Sequence, residues 1–267
     1  MRILGLNIHE GKYRDFLEYI RHPLQPTLVF TPNPEILVKA SSDSDFYNTL
    51  KKADFLIPDA NGLYTATLIQ EGASYIGALF RTFFLKRNLS KRYGELMRGS
   101  TLTKDLVDFA CDSGESVLMI DNYRIHKPKN SFEERKMQVQ AELSERFQKK
   151  FPKLMIEILF DGEKTPEQIA QLIQDKDIRY VFSCIGMKAQ EVRLTEIFSH
   201  IPDSCKVLGI GVGSSFDYLL GLQKRAPVIF QKAGLEWFYR LLQDPFVRWE
   251  RIKRALVDFP RLVEQSK

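Results

Sequence analysis

Cysteine is scarce in this chain of 267 residues: Cys111, Cys184 and Cys205 are odd in number, far apart and without CxxC spacing. That excludes a disulfide framework and a cysteine zinc site, and the three read as small core hydrophobes. Histidine is almost as rare, and His9, His22, His126 and His200 share no metal-ligand spacing, so no metal is implied. No apolar run approaches the roughly 20 residues that a membrane-spanning helix needs, and the N-terminus lacks a signal-peptide profile. The expected location is therefore the cytoplasm. Helix-turn-helix, zinc-finger and RRM-like patterns are also lacking, which argues against nucleic acid as a partner.

What the chain does have is charge in two places. The formal net charge is only +5, yet residues 224 to 267 hold ten cations against five anions. Residues 75 to 98 hold six cations (Arg81, Lys86, Arg87, Lys91, Arg92, Arg98) against Glu95 alone. Both segments interleave their cations with Phe, Trp or Leu. Such a mixture suits a phosphorylated ligand or the anionic face of a membrane, because cations meet phosphate while apolar side chains bury at the interface.

Short β-branched and apolar runs alternate with helical stretches, which predicts an α/β fold: a Rossmann-like, mostly parallel sheet with helices on both faces. Candidate strands are Ile3 to Leu6, Leu28 to Phe30, Phe55 to Ile57, Val117 to Ile120, Met155 to Leu159, Tyr180 to Cys184 and Lys206 to Ile210. The core is expected to span 1–221, with a helical, basic appendage over 222–267. Asp244-Pro245 is a helix start within it, from which Phe246, Trp249, Ile252 and Leu256 recur at helical spacing beside Arg248, Arg251 and Arg254.

Open parallel sheets bind ligands at the carboxyl ends of their strands. Thr31 and Asn33 follow one strand run, between prolines and before a helix start that can face an anion. Asp59, followed by Asn61 and Gly62, lies at the next strand tip, where partial desolvation suits a carboxylate to general-base work. Each of these also reads as a turn or helix cap. Lys188, Gln190 and Glu191 offer an amide and charges at another helix start. The run Gly209, Gly211, Gly213, followed by Asp217, allows backbone amides close to a phosphate or sugar. It fails the spacing and location of the dinucleotide fingerprint, which argues against a nicotinamide enzyme. Asp43-Ser44-Asp45 resembles a metal-binding DxD but precedes a helix, where it reads as a cap. Gly72 to Gly77 has P-loop spacing, but Ala78 stands where the lysine belongs.

With these residues the chain resembles, nearly end to end, the WecG/TagA/CpsF family of bacterial glycosyltransferases. Thr31-Pro32-Asn33-Pro34-Glu35 is similar to the family's TxNxE segment, Ala53-Asp54 through Pro58-Asp59 to "AD…PDG", and Gly186 to Glu191 to "GxPKQE". Gly211 through Asp217 is similar to "GVGxxFD", Arg225-Ala226-Pro227 to "RAP", and Gly234 to Leu241 to "GLEWLYRL". The resemblance implies an inverting transfer, without metal or cofactor, from a UDP-sugar donor to a polyprenyl-diphosphate-linked sugar at the inner face of the membrane. Family members supply N-acetylmannosamine, its uronic acid or a glucose-type sugar to teichoic acid linkage units, enterobacterial common antigen, capsule or exopolysaccharide. On that pattern Asp59 would be the catalytic base. Thr31, Asn33 and Gln190 would hold polar groups of donor and acceptor. Arg225, Arg240, Arg248 and Arg251 would meet the diphosphate. A homo-oligomer is left open.

The chain departs from the family in places. Ala60 follows Asp59 where the family has glycine, Met187 replaces a proline, and "RVxGxDL" reads Leu96-Met97-Arg98-Gly99-Ser100-Thr101-Leu102, with Arg98 as the candidate replacement for the lost arginine. Phe246 and Val247 occupy positions usually held by arginine. Residues from about Gly72 to Lys91 read as an insertion, either a second membrane contact or an ordinary packed helix. These departures keep a rival reading alive, a diverged non-catalytic scaffold in envelope polysaccharide assembly.

Overall fold

The computed structural model describes residues 1–122, 132–223 and 245–266 with Pro227, Tyr239 and Leu241, and gives backbone alone at 132–135 and 245–248. The first apolar run does not join the main sheet. Leu4 and Gly5 take positive φ values of 49° and 81°, so the chain reverses after three residues. β1 (Arg2–Ile3) and β2 (Leu6–Asn7) then pair with each other as an antiparallel hairpin. The expected strand Ile3 to Leu6 is thus corrected to a tight turn, a conformation that glycine adopts without Cβ strain.

The other runs behave as the pattern predicts. Among the described residues, β3 (Thr27–Phe30), β4 (Phe55–Leu56), β5 (Ser116–Asp121), β6 (Met155–Phe160), β7 (Ile178–Ser183) and β8 (Leu208–Gly211) form one all-parallel sheet, ordered β4-β3-β8-β7-β5-β6. Alternation along the strands feeds two cores. Leu28, Phe30, Leu118 and Ile120 point into one. Val29, Val117, Met119 and Ile210 point into the other. A strand buried on both faces needs such near-continuous apolar sequence.

The helices divide between the faces. α2 (Pro34–Ser41), α3 (Ser44–Lys51), α4 (Gly62–Gln70), α9 (Pro166–Asp175) and α10 (Ala189–Phe198) cover the first. α1 (Tyr13–Arg21), α7 (Gly99–Ser113), α8 (Phe132–Lys150) and α11 (Ser215–Leu219) cover the second. Their ends are written locally. Asn33 caps α2 with Pro34 in its first turn, Asp43 accepts from the Phe46 amide as the cap of α3, and Thr165 with Gln168 closes a capping box on α9. The DxD-like stretch is therefore a cap, as its sequence context suggests. The stretch expected as an insertion holds α5 (Tyr75–Phe84) and most of α6 (Lys86–Tyr93).

The C-terminal segment runs through α12 (Pro245–Lys253), a π-helical turn (Arg254–Asp258) and α13 (Phe259–Gln265). It packs on α2 and α4, with Phe259 and Val263 buried in the first core. Pro260 has no N–H to give the carbonyl of Leu256 four residues back. The Tyr75 hydroxyl donates to that carbonyl at 2.6 Å instead, which ties α5 to the π turn. A second tie is ionic. Glu35, buried in the first turn of α2, accepts from Arg251 Nε at 2.7 Å and from Arg254 Nη1 at 3.2 Å.

Removing the shared acceptor should loosen this segment more than the core. Glu35→Ala is expected to lower stability by about 1–3 kcal/mol, the range for losing charge-assisted hydrogen bonds that are partly exposed. Amide hydrogen exchange should speed up over residues 245–266 and leave β5 and β7 unchanged. Uniform exchange in parent and variant would remove Glu35 as the anchor.

Candidate active site

β3 sends its connection to the face carrying α2, whereas its neighbour β8 sends its own to the face carrying α11. Loops that part in this way leave a crevice at the carboxyl edge. Thr31, the first residue beyond β3, is buried and donates its hydroxyl to the Gly211 carbonyl at 3.3 Å, closing the crevice floor. Asn33 sits at its rim with Oδ1 accepting from the Ile36 amide at 3.1 Å, so here the helix-cap reading describes what the side chain does.

Asp59 lies just beyond β4 and is half-buried. Its Oδ1 accepts from the Gly99 amide at 2.7 Å. Gly99 opens α7, and Arg98 in the N-cap position makes no side-chain cap bond. A carboxylate from a distant strand tip thus caps the positive end of a helix dipole. A Cβ placed on Gly99 would stand 3.5 Å from the Thr31 methyl, so Asp59, Gly99 and Thr31 form one cluster.

The third contribution comes from α10. Gln190 is buried, with Oε1 accepting from the Gly213 amide at 2.9 Å and Nε2 donating to Glu191 Oε1 at 2.8 Å. Both ends of the amide are engaged, which fixes its orientation and still leaves each end capacity for a second partner. Glu191 is fully buried and also accepts from the Lys188 amide at 2.7 Å. The glycine run owes its composition to this packing. A Cβ on Gly209 would meet the Phe198 ring at 2.5 Å, and one on Gly211 would meet Gln190 Nε2 at 2.9 Å. Gly209 and Gly211 therefore let α10 approach β8.

The remaining candidates divide. Gly62 is a packing glycine, since a Cβ there would lie 2.6 Å from Pro34 Cγ. Asn61 beside it has a buried Oδ1 without a hydrogen-bond partner among the described residues. Lys188, exposed and at a positive φ of 69°, pairs with Asp43 at 2.5 Å. Asp217 turns toward the end of α11, where its Oδ2 accepts from Gln223 at 3.0 Å. Arg251 reaches the β3 side of the crevice through Glu35, two residues beyond Asn33. Arg225, Arg240 and the side chain of Arg248 lie outside the described residues, as does the expected Asp244 cap.

Arg98 lines a cavity of about 580 Å³ with Lys86, Arg87, Tyr13, Tyr64 and Thr101. The first turn of α7, which holds Asp59, forms one wall of it. Burial, then the Arg98 charge, lowers the proton affinity of Lys86 below that of an ordinary lysine. Among the described residues no three His, Cys, Asp or Glu side chains cluster as a metal would require.

Sequence reasoning missed Glu35 as the partner of Arg251, and missed Lys86 and Arg87 as neighbours of Arg98. It also passed over Asp121 and Ser183, buried at the ends of β5 and β7, where Ser183 Oγ has no partner among the described residues. The strand-tip rule applied to β5 and β7 would have found those two.

Comparison with known proteins finds matches over most of the chain. The profile of the family described as "Glycosyl transferase WecG/TagA/CpsF family" matches residues 1–75 and 135–267, which leaves α5 beyond Tyr75, α6, α7, β5 and the start of α8 outside the match. A protein of Bacillus spizizenii named N-acetylglucosaminyldiphosphoundecaprenol N-acetyl-beta-D-mannosaminyltransferase is 29% identical over 225 residues, covering 84% of this chain and 74% of its own length. A Bacillus subtilis protein with the same name is 25% identical over 250 residues, covering 92% of this chain and 83% of its own.

Burial raises the Glu191 carboxyl above its usual 4.5, against the opposing pull of its hydrogen bonds from Gln190 and Lys188. The folded chain then keeps a proton on Glu191 at pH values where the unfolded chain has lost it. The stability this contributes is full below the unfolded value and fades as pH rises through the folded one. Thermal melts of parent and Glu191→Gln should therefore diverge, with the parent losing ground from pH 4.5 upward. Parallel melting curves across that range would contradict the assignment.

Proposed function

The chain belongs to the WecG/TagA/CpsF family of glycosyltransferases, and on that premise we propose that it moves N-acetylmannosamine from a UDP-sugar to N-acetylglucosamine carried on a polyprenyl diphosphate. The observation that carries this reading is the convergence of Asp59, Thr31 and Gln190 on one crevice with the N-terminus of α7. The sugars are those in the relatives' name.

The chemistry is a single displacement. Asp59 takes the proton of the acceptor hydroxyl as its oxygen bonds to the anomeric carbon, and the bond from that carbon to the UDP oxygen breaks. Attack opposite the leaving group inverts the anomeric centre, which turns an α-linked donor into a β-linked product. Gln190 and Thr31 position sugar hydroxyls, and no metal takes part. Negative charge grows on the diphosphate as it leaves, and fixed cations stabilise it most where water is excluded. Arg98, Lys86 and Arg87, which share one cavity, and Arg251, held by Glu35, are the cations assigned to this role. Arg225, Arg240 and Arg248 complete the cationic set on the resemblance alone.

A polyprenyl-linked acceptor sits in a bilayer, so the enzyme works as a peripheral protein on the inner membrane face. Among the described residues no helix is long and apolar enough to cross a membrane. The division at residue 221 separates the transferase core from an appendage that serves the diphosphate and the membrane. Linkage units of wall or capsular polymers are the fitting product class.

Purified protein supplied with UDP-N-acetylmannosamine and a polyprenyl-diphosphate N-acetylglucosamine should release UDP. Asp59→Asn, nearly isosteric, should cut kcat by about 10²–10⁴-fold, the span of a general-base contribution, with a smaller change in KM. Turnover at the parent rate would overturn Asp59 as base. A folded parent that releases no UDP from any donor would favour the scaffold reading.

A further inference from the structure

α5 is built the wrong way round for a soluble helix. Its narrow face of small residues, Ala78 and Thr82, is buried, and Thr65 on α4 donates to the Thr82 hydroxyl at 3.0 Å. Its broad face points outward. Ile76 is 80% exposed, Phe80 61%, Phe83 53% and Phe84 65%, with Leu79 and Leu85 also exposed. The spacing i, i+3, i+4, i+7, i+8 joins them into a stripe, and the Phe80 and Phe84 rings pack at 4.5 Å between centroids. An amphipathic helix normally turns such a stripe to its core, and a continuous exposed apolar patch marks a docking surface.

Charge identifies what docks there. From Tyr75 to Tyr93 the chain carries Arg81, Lys86, Arg87, Lys91 and Arg92 and no acidic residue. Two copies meeting through this face would bring like charges together, whereas an anionic bilayer would draw them in, each cation near the surface contributing roughly fivefold to partitioning. Ten residues are too few to span a bilayer, so the helix suits the headgroup boundary, lying flat with its Phe side chains among the acyl chains. The hydrogen bond from Tyr75 to Leu256 ties it to the π-helical turn that follows α12, and α12 itself exposes Trp249 at 60%.

We infer that α5 is a membrane-docking helix whose Ile76, Phe80, Phe83 and Phe84 enter the headgroup region of an anionic lipid surface. Docked in this way, it holds the opening of the Lys86, Arg87 and Arg98 cavity beside the leaflet, within reach of a lipid-borne diphosphate. That last point rests on the proposed function; the docking does not. All of α5 beyond Tyr75 lies outside the family match.

Flotation of the full-length protein with vesicles separates the two readings. The parent should partition onto mixed phosphatidylcholine and phosphatidylglycerol vesicles, and more weakly onto phosphatidylcholine alone. The exposed quadruple variant Ile76→Ser, Phe80→Ser, Phe83→Ser, Phe84→Ser should melt with the parent and lose at least about tenfold in partitioning. The conservative Phe80→Leu, Phe83→Leu pair should keep it, and Arg81→Glu with Lys91→Glu should remove the phosphatidylglycerol preference. The serine variant should also release UDP at the parent rate from a short-chain acceptor in detergent. Undiminished vesicle binding by the serine variant would overturn the inference. So would a parent that ignores vesicles but sediments as a dimer, with the serine variant a monomer. Absent UDP release with serine-sensitive vesicle binding would defeat the proposed function and leave the docking intact.

Discussion

Parallel neighbours whose connections leave toward opposite faces cannot close their carboxyl edge, and the rest of this molecule is arranged around that gap between β3 and β8. Three hydrogen bonds from three elements frame it: Thr31 to Gly211, Gly213 to Gln190, and Gly99 to Asp59. None of these pairs is local in sequence. Each joins a strand tip to a helix start or to another strand tip, where backbone donors and acceptors that the ladder and helix interiors leave unmatched must find partners.

The same need for partners explains how the C-terminal helices are held. Pro260 cannot donate to the Leu256 carbonyl, and the Tyr75 hydroxyl of α5 donates to it. Glu35 is buried at 6% exposure, which an unpaired carboxylate would not tolerate, and two arginines from the far end of the chain satisfy it. The appendage is thereby coupled to the residues that follow Thr31 and Asn33. Two tail arginines and the carboxylate that holds them belong to one network, so the tail's location and the neutralisation of Glu35 are decided together.

Local patterning made much of the fold legible. β3 through β8 fall within about two residues of the runs expected, because a doubly buried strand must be apolar throughout and its boundaries are marked by Pro, Asn and Asp. Asp43, Asn33 and Thr165 cap helices where their side-chain chemistry says they should. The run Ile3 to Leu6 failed because hydrophobicity is silent about φ, and the Leu4-Gly5 reversal outweighs apolar continuity. The glycines before Ser214 were legible as a close approach but not as to what approaches: Phe198 and Gln190 come from a helix whose distance from β8 no local pattern encodes.

By itself the sequence determined the alternation of strand and helix, the two basic segments, the motif residues Thr31, Asp59 and Gln190, and the family to which they point. These are written in neighbouring side chains and in residue chemistry. Only the tertiary structure decided that Glu35 captures Arg251 and Arg254, that Asp59 caps α7 at the Gly99 amide, and that the apolar stripe of α5 faces outward. Periodicity says that a helix has an apolar side. Which side is buried depends on the neighbour it meets, and here the small face of Ala78 and Thr82 fits α4 closely enough to leave the phenylalanines in solvent.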